Sequence, residues 1–235
     1  MGIEVGSPFS MVAERVSDEV ATLRRRVESR LKLGLSLRSM SYGLRRDLNV
    51  PIEHPSAKIP ISVRPMRDED LDILLPDDPL LPEQERMEAN WRRGFARNVG
   101  GGGFVAIDER DGSPAYMQWL LSPAQNDFIA RLKTFPLLQA DEALLENAYT
   151  PPSHRGLGIM SAAMALIAER AADFGARYVM TFVGHDNVPS LKGCRRAGFD
   201  PDMVHHRHDS LFGVIRRNSF EKMAAEDPRR GWEQM

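Results

Sequence analysis

The stretch PPSHRGLGIMSAAMALIAERAADF (residues 151–174) lies between two apolar segments, residues 143–150 and residues 177–184. The apolar segments are typical of strands, and the alanine-rich half of the quoted stretch predicts a helix. A strand–helix–strand order places the two strands in parallel, with the helix crossing between them. Gly156 and Gly158 leave space for a ligand beside backbone N–H groups at the turn into the helix. Because the helix N-terminus adds a partial positive charge, the turn predicts a cradle for phosphate or pyrophosphate.

The chain before this unit divides near residue 58. Residues 10–33 repeat valine and leucine at three- and four-residue steps, which predicts an amphipathic helix. Residues 49–60 carry three prolines and predict an extended linker. We therefore predict a helical extension with its linker, one catalytic domain and a tail, over residues 1–58, 59–217 and 218–235. A chain that begins near Ala57 is then expected to keep its ligand binding but to lose stability or association with a partner.

Composition excludes several classes of protein. The formal net charge of −2 gives no overall attraction to nucleic acid. The single cysteine, Cys194, excludes an intramolecular disulfide and a cysteine-rich zinc site. No apolar run approaches the roughly 20 residues of a membrane span, and the N-terminus lacks the pattern of a signal peptide. A cytoplasmic protein without a membrane span is therefore expected.

Arginine and lysine are concentrated between Ala21 and Arg46. One interpretation is a solvated helix that packs on the main domain through its apolar stripe. The other is a docking face for an acidic partner or an anionic membrane. The same stripe could also form a homodimer.

Three further motifs accompany the glycine turn. The turn itself reads P-x-x-R-G-x-G-I from Pro152, and N-x-x-S follows at Asn187 and Ser190, before A-G-F at residues 197–199. Upstream, ISVRPMRDEDL (residues 61–71) opens the region. This order resembles the GCN5-related N-acetyltransferase (GNAT) superfamily over residues 60–217, although Ser153 stands where the family carries Arg or Gln. The resemblance implies an α/β fold with a mixed central sheet, splayed parallel strands and flanking helices.

The resemblance also implies acetyl-CoA, or another acyl-CoA, as co-substrate. The backbone from Arg155 to Met160 would bind the pyrophosphate, the end of the preceding strand would pair with the pantetheine arm, and the N-x-x-S motif would support that arm. The implied cofactor-binding residues are Asn147, Ala148, Tyr149, Thr150, Arg155, Gly156, Leu157, Gly158, Ile159, Met160, Asn187 and Ser190. An alternative role for Asn187 and Ser190 is to cap a helix.

The activity implied is N-acetyl transfer to an amine of a small molecule or a protein, without a metal ion. Glu146 is the first candidate for the general base, because it lies on the strand that would flank the cofactor. Glu142 is the second. A non-catalytic module that binds acyl-CoA or a protein partner is the alternative function.

The proton donor departs from the family pattern. Many members carry a tyrosine at the position of Cys194, which is the catalytic acid candidate here. The alternatives are that Cys194 is a small buried residue, that Tyr149 or Tyr178 donates the proton, or that the thiolate leaves unassisted. His205, His206 and His208 are interpreted as surface or substrate-side residues rather than zinc ligands.

Overall fold

A computed structural model describes residues 36–211 and 214–234 of the chain. The helix predicted over residues 10–33, with most of the basic side chains, lies outside the described residues. The chain divides into two compact units, residues 1–39 with 206–219 and residues 40–205 with 220–235. The boundary that we predicted near residue 58 falls inside the second unit.

Eight strands of the described residues form one sheet in the order β2-β3-β4-β5-β6-β1-β7-β8. The strands are β1 (Ser36–Asp47), β2 (Ile61–Pro65), β3 (Gly103–Asp108), β4 (Pro114–Leu121), β5 (Glu142–Tyr149), β6 (Tyr178–Gly184), β7 (Asp200–Ser210) and β8 (Ile215–Lys222). The helices are α1 (Asp68–Leu74), α2 (Glu83–Val99), α3 (Asn126–Leu132), α4 (Ile159–Glu169) and α5 (Val188–Arg196). β5 and β6 run parallel, whereas the pairs β2–β3, β3–β4, β4–β5 and β1–β6 are antiparallel, so the sheet is mixed as predicted.

The first strand lies where we predicted part of an extension. Ser41–Asp47 of β1 pair antiparallel with Tyr178–Gly184 of β6, so this part of the predicted extension contributes a strand to the sheet. Tyr42 and Leu44 are buried because alternate side chains of β1 face the core. The arginine-rich composition of the segment reflects in part a buried guanidinium, Arg46, which donates to Ala165 O at 3.0 Å and Glu169 Oε1 at 2.8 Å.

Small side chains let α4 pack closely against the sheet. Ala163, Ala165 and Ala168 are buried, together with Met164 and Ile167, in the larger of two core clusters. The helix that we predicted over residues 159–174 ends at Glu169 and continues as a 3-10 turn to Phe174. This packing fixes the start of α4 at the carboxyl end of β5, where the glycine turn lies.

Residues 48–60 contain no helix or strand, but they contact the core of the second unit. The N–H of Lys58 donates to Leu157 O at 2.8 Å, and Ile59 is buried. Gly198 leaves room for Ile52, since a Cβ atom at that glycine would lie 2.9 Å from Ile52 Cγ2.

Candidate active site

The candidate site begins where β5 and β6 separate. Only Glu142, Ala143 and Leu144 of β5 pair with β6, and beyond Leu144 the two parallel strands diverge. On the other edge of β5 the register against β4 shifts, because Met117 pairs with Tyr149 while Trp119 pairs with Glu146. This shift marks a β-bulge, which bends a strand and re-aims its side chains.

Asn147 has an unusual backbone conformation at this bulge. Its φ of 57° lies in the left-handed region, which asparagine tolerates better than most residues. Its side chain is buried, and its Oδ1 accepts a hydrogen bond of 2.5 Å from Arg92 Nη1. The same Nη1 donates to Ala148 O at 3.1 Å. Arg92 of α2 therefore ties the helix to two successive residues of the bulge.

Glu146 lies directly before the bulge. Its Oε1 is buried without a hydrogen-bond partner, while its Oε2 accepts from the N–H of Asn147 at 3.3 Å. Burial raises the pKa of this carboxyl to about 8, against the opposing effects of the N–H groups of Asn147 and Phe182 and the charge of Arg92. A carboxyl with this pKa gains and loses a proton near neutral pH, as a general base requires.

The glycine turn forms a second wall. Gly156 and Gly158 both have φ of 76°, and α4 begins directly after Gly158. A Cβ atom at Gly156 would meet no other atom within 4 Å, so the turn leaves an open cradle in front of the helix N-terminus. Behind the turn, a Cβ at Gly158 would lie 3.3 Å from Ser56 O. Arg155 extends from the turn and donates from Nε to Thr150 O at 3.1 Å.

A buried carboxylate supports the same turn. His154 Nε2 lies 3.6 Å from Oδ2 of Asp108, a fully buried residue at the end of β3. Hydrogen bonds from Arg110 hold the pKa of Asp108 at about 2. The Nδ1 of His154 lies 2.9 Å from Ser153 Oγ. Ser153, where the family carries Arg or Gln, therefore holds the imidazole that faces Asp108.

Helix α5 contributes another part of the cavity wall. Asn187 accepts from the N–H of Ser190 at 3.3 Å and caps the helix, so the alternative capping role is present. Cys194 is 1% exposed, and burial raises the pKa of its thiol to about 12, with a further contribution from the charge of Glu146. Such a thiol stays protonated at neutral pH.

One cavity of about 1050 Å³ collects these groups. Of the predicted cofactor-binding residues, and of Glu146 and Cys194, all but Leu157 line it. The Leu157 side chain packs against the core instead. Glu142 and Tyr178 lie elsewhere, whereas Tyr149 lines the cavity.

Sequence reasoning missed several residues of the cavity. α2 contributes Glu88, Trp91 and Arg92, and β4 contributes Tyr116 and Gln118. Tyr116 is buried and donates from its hydroxyl to Gln118 Oε1 at 2.7 Å. Spacing along α2 gives no sign that its arginine meets β5, since Arg92 and Asn147 are 55 residues apart.

The described residues show neither a metal-binding cluster nor a membrane-spanning helix. No cluster of three or more histidine, cysteine, aspartate or glutamate side chains there could hold a metal ion. Among the described helices, none has the length and apolar character that crossing a bilayer requires.

Comparison with known proteins identifies one family model. The model of the acetyltransferase (GNAT) family matches residues 77–199, more than half of the chain. No curated protein sequence matches the chain.

Solved structures with similar folds are distant in sequence. A GCN5-related N-acetyltransferase from Sphaerobacter thermophilus is 14% identical, with a TM-score of 0.47, over 85% of this chain and 56% of that one. A GCN5-related N-acetyltransferase from Kribbella flavida is 17% identical, with a TM-score of 0.45, over 76% and 60%. A Drosophila protein is 15% identical, with a TM-score of 0.47, over 83% and 59%. The chain thus spans less than two thirds of the length of these three structures.

Proposed function

The chain belongs to the GNAT acetyltransferase family, and from this premise we propose that it is an acyl-CoA-dependent N-acetyltransferase. The observation that carries the proposal is the open edge between β5 and β6. It brings a buried carboxyl, unpaired strand backbone and a glycine cradle into one cavity.

The residues around the cavity fit acetyl-CoA. The cradle at Gly156 and the N-terminus of α4 suit the pyrophosphate, because N–H groups and a helix dipole converge there. The backbone of Ala148, Tyr149 and Thr150 lies beyond the last pair with β6, so its polar groups can pair with the amides of the pantetheine arm. Lys192 and Arg196 of α5 add positive charge to this side of the cavity. Bound acetyl-CoA supplies the acetyl group as an activated thioester.

Glu146 is the general base of the proposed reaction. An acceptor amine is protonated in neutral water and must lose a proton before it attacks. With a pKa near 8, Glu146 is matched to this proton far better than a carboxylate in water. Transfer forms a bond from the amine nitrogen to the acetyl carbon and breaks the carbon–sulfur bond, whose electron pair leaves with sulfur. Of the two protons that the ammonium group loses on the way to the amide, one ends on Glu146 and the other on the departing thiolate or on water.

Cys194 is better suited to packing than to proton donation. A thiol with a pKa of about 12 holds its proton more tightly than an ordinary thiol with a pKa of about 8.5, so protonation of the departing thiolate from Cys194 would be unfavourable. We assign Cys194 to the wall beside Glu146, and of the two tyrosines considered as donors, Tyr149 and Tyr178, Tyr149 lines the cavity.

Release of CoA thiol from acetyl-CoA, measured with a panel of amines, tests the proposal. Amine-dependent release together with CoA binding by calorimetry is the expected result. Binding of CoA without release on any amine would instead identify the non-catalytic acyl-CoA-binding module.

A further inference from the structure

Three polar side-chain atoms without a hydrogen-bond partner lie together at the β-bulge. Within the described residues, Glu146 Oε1, Asn147 Nδ2 and Arg92 Nε are buried and unpaired. All three residues line the cavity that also contains the glycine turn. Because buried polar groups in folded proteins are nearly always paired, a group of unpaired atoms in a cavity indicates a polar ligand.

The bulge brings two consecutive residues of β5 to one cavity. In a regular strand, successive side chains point to opposite faces of the sheet. The positive φ of Asn147 and the register shift at the bulge interrupt this alternation. Glu146 and Asn147 both line the cavity, and Glu146 Oε2 lies 3.3 Å from the backbone nitrogen of Asn147. The Asn147 amide is therefore adjacent to the carboxyl that we assign as the base.

Arg92 fixes which end of the Asn147 amide is left unpaired. A guanidinium group only donates hydrogen bonds, so its partner at 2.5 Å must be the amide oxygen, Oδ1. The same nitrogen, Nη1, also donates to Ala148 O, and Nη2 donates to Glu88 Oε1 at 2.6 Å, so three acceptors hold the guanidinium. The remaining end of the amide is Nδ2, which carries two N–H donors and accepts no hydrogen bond.

A donor beside the base complements the acetyl oxygen of the proposed reaction. Glu146 accepts a proton from the amine, and the amine lone pair must stay free to attack. When the amine nitrogen bonds to the acetyl carbon, the electron pair of the carbonyl π bond moves to the acetyl oxygen, which becomes negatively charged. That pair re-forms the carbonyl when the carbon–sulfur bond breaks and the thiolate leaves. An N–H donor aimed at the oxygen stabilises the charge while it is present.

We propose that Asn147 is a catalytic residue whose side-chain Nδ2 donates a hydrogen bond to the acetyl oxygen of acetyl-CoA. This assignment rests on the proposed N-acetyl transfer and adds an oxyanion donor to the same site. The backbone N–H of Asn147 is directed to Glu146 Oε2, so the side-chain amide is the donor that this residue offers to a ligand. Arg92 is a positioning residue, because it orients the amide through Oδ1.

The carbonyl stretching frequency of bound acetyl-CoA tests the hydrogen bond without an acceptor amine. Acetyl-CoA isotopically labelled at the carbonyl carbon is bound to the full-length protein and measured by infrared difference spectroscopy. A hydrogen bond to the oxygen weakens the carbonyl bond, so we expect a higher frequency in Asn147→Asp and Asn147→Gly than in the wild type. Both replacements tolerate a positive φ, and neither an ionised aspartate nor a glycine has a side-chain donor. The melting temperature of each variant reports its folding.

Steady-state kinetics test the same bond in the transition state, with an amine that gives thiol release in the panel described above. Loss of one oxyanion donor lowers kcat by about 10²–10³-fold, which is the expected result for Asn147→Gly. Affinity for free CoA, measured by calorimetry, should stay similar because free CoA lacks the acetyl oxygen. The pH at which the rate levels off should also stay similar, since Glu146 is retained.

Asn126→Asp is the matched control, because both ends of the Asn126 amide are occupied. Its Nδ2 donates to Leu138 O at 3.0 Å, its Oδ1 accepts from the N–H of Leu138 at 2.9 Å, and the residue lies outside the cavity lining. The control should lower the melting temperature and leave the carbonyl frequency and kcat unchanged.

An unchanged carbonyl frequency in both Asn147 variants overturns the assignment. If CoA and acetyl-CoA also bind more weakly by the same factor, the amide contacts the pantetheine arm instead of the acetyl group. A shift of equal size in Asn126→Asp would likewise overturn it, because the effect would then not come from a donor in the cavity.

Thiol release separates this proposal from the proposed function. A carbonyl shift that depends on Asn147, without amine-dependent thiol release, would retain the hydrogen bond to the acetyl oxygen and reject the acetyltransferase. Amine-dependent release with equal kcat in the wild type and both Asn147 variants would retain the acetyltransferase and reject the catalytic role of Asn147.

Discussion

β6 has a neighbour on each edge, and the two neighbours use it differently. β1 pairs with it antiparallel along Ser41–Asp47, whereas β5 pairs in parallel through Glu142–Leu144 and then diverges. On the edge that pairs with β1, the closed edge, backbone N–H and C=O groups are hydrogen-bonded and side chains are buried, which stabilises the sheet. The open edge leaves backbone groups and a buried carboxyl available to ligands. Stability and chemistry are thus separated on opposite edges of one strand.

The largest effect is expected from opening the closed edge. Deletion of residues 1–47 removes β1 and exposes the edge of β6, so we expect loss of cooperative thermal unfolding in circular dichroism. A chain that begins near Ala57 also lacks β1, and the expectation that it keeps CoA binding is therefore reversed. A folded, CoA-binding protein after this deletion would show that β1 is dispensable.

A milder test of the same edge compares two leucines of β1. Leu44 is 1% exposed and Leu37 is 43% exposed. Leu44→Ala should lower the free energy of unfolding by about 2–5 kcal/mol, and Leu37→Ala by less than about 0.5 kcal/mol. If Leu44→Ala lowered the free energy of unfolding as little as Leu37→Ala does, the core would not extend to β1.

On the open edge, Glu146→Gln should have the largest effect on rate. Loss of a general base lowers kcat by about 10²–10⁴-fold, while CoA affinity measured by calorimetry stays similar. The wild-type rate should rise with pH and level off near pH 8, where Glu146 loses its proton. The variant should lack this rise. A wild-type profile that levels off below pH 6 would contradict the raised pKa.

The same carboxyl links stability to pH. Its pKa is raised from 4.5 to about 8 on folding, so the folded state holds its proton more tightly than the unfolded state. The resulting stabilisation is complete below about pH 4.5 and is lost as pH rises through 8. Glu146→Gln should flatten this part of the pH dependence of the melting temperature.

The glycine cradle offers a matched pair for a smaller effect. Gly156 and Gly100 have φ of 76° and 77°, and a Cβ at either would meet no other atom within 4 Å. Alanine should therefore cost similar stability at both, about 1 kcal/mol from backbone strain. Gly156→Ala should also weaken CoA binding, by about 10-fold, because its methyl group enters the cradle. Unchanged CoA affinity in a folded Gly156→Ala would mean that the pyrophosphate does not bind at this turn.

The smallest effect concerns Arg92, the link between α2 and the bulge. Its charge lowers the pKa of Glu146, so Arg92→Gln should move the rise in the pH–rate profile to higher pH and lower the rate at pH 7 by several-fold. Arg93→Gln is the control, since Arg93 pairs with Asp72 and the carbonyl of Leu75 rather than with β5. If the pH–rate profile of Arg92→Gln were identical to that of the wild type, Arg92 would contribute packing and would not affect the pKa of Glu146.

The open edge between β5 and β6 could be predicted from the sequence, whereas the closed edge between β6 and β1 was not predicted. Gly156, Gly158 and the apolar strands around them are local signals, since turn, helix and strand patterns lie within 42 consecutive residues, 143–184. β1 also carries a local signal, because Met40, Tyr42 and Leu44 alternate with polar residues or glycine. The arginines around them obscured it, and a buried Arg46 contradicts the usual rule that arginine is exposed.

The remaining features depend on contacts between distant segments. Arg92 acquires its role from Asn147, and Arg46 is compensated by Glu169, which lies 123 residues further along the chain. The pKa of Cys194 likewise depends on burial that no spacing reveals. A sequence pattern predicts the element on which a residue lies, whereas the partner across the fold decides its chemistry.

The position of β1 also has a consequence for biosynthesis. β1 leaves the ribosome before its partner β6 and its other neighbour β7, which are translated more than a hundred residues later. Closing so long a loop is entropically costly and slow, and until then the strand presents unpaired N–H and C=O groups. The nascent chain therefore holds an unpaired strand until β6 has emerged, and the sheet closes only after β7 has followed. A slow final folding step and a need for chaperone protection at high expression follow from this order of synthesis.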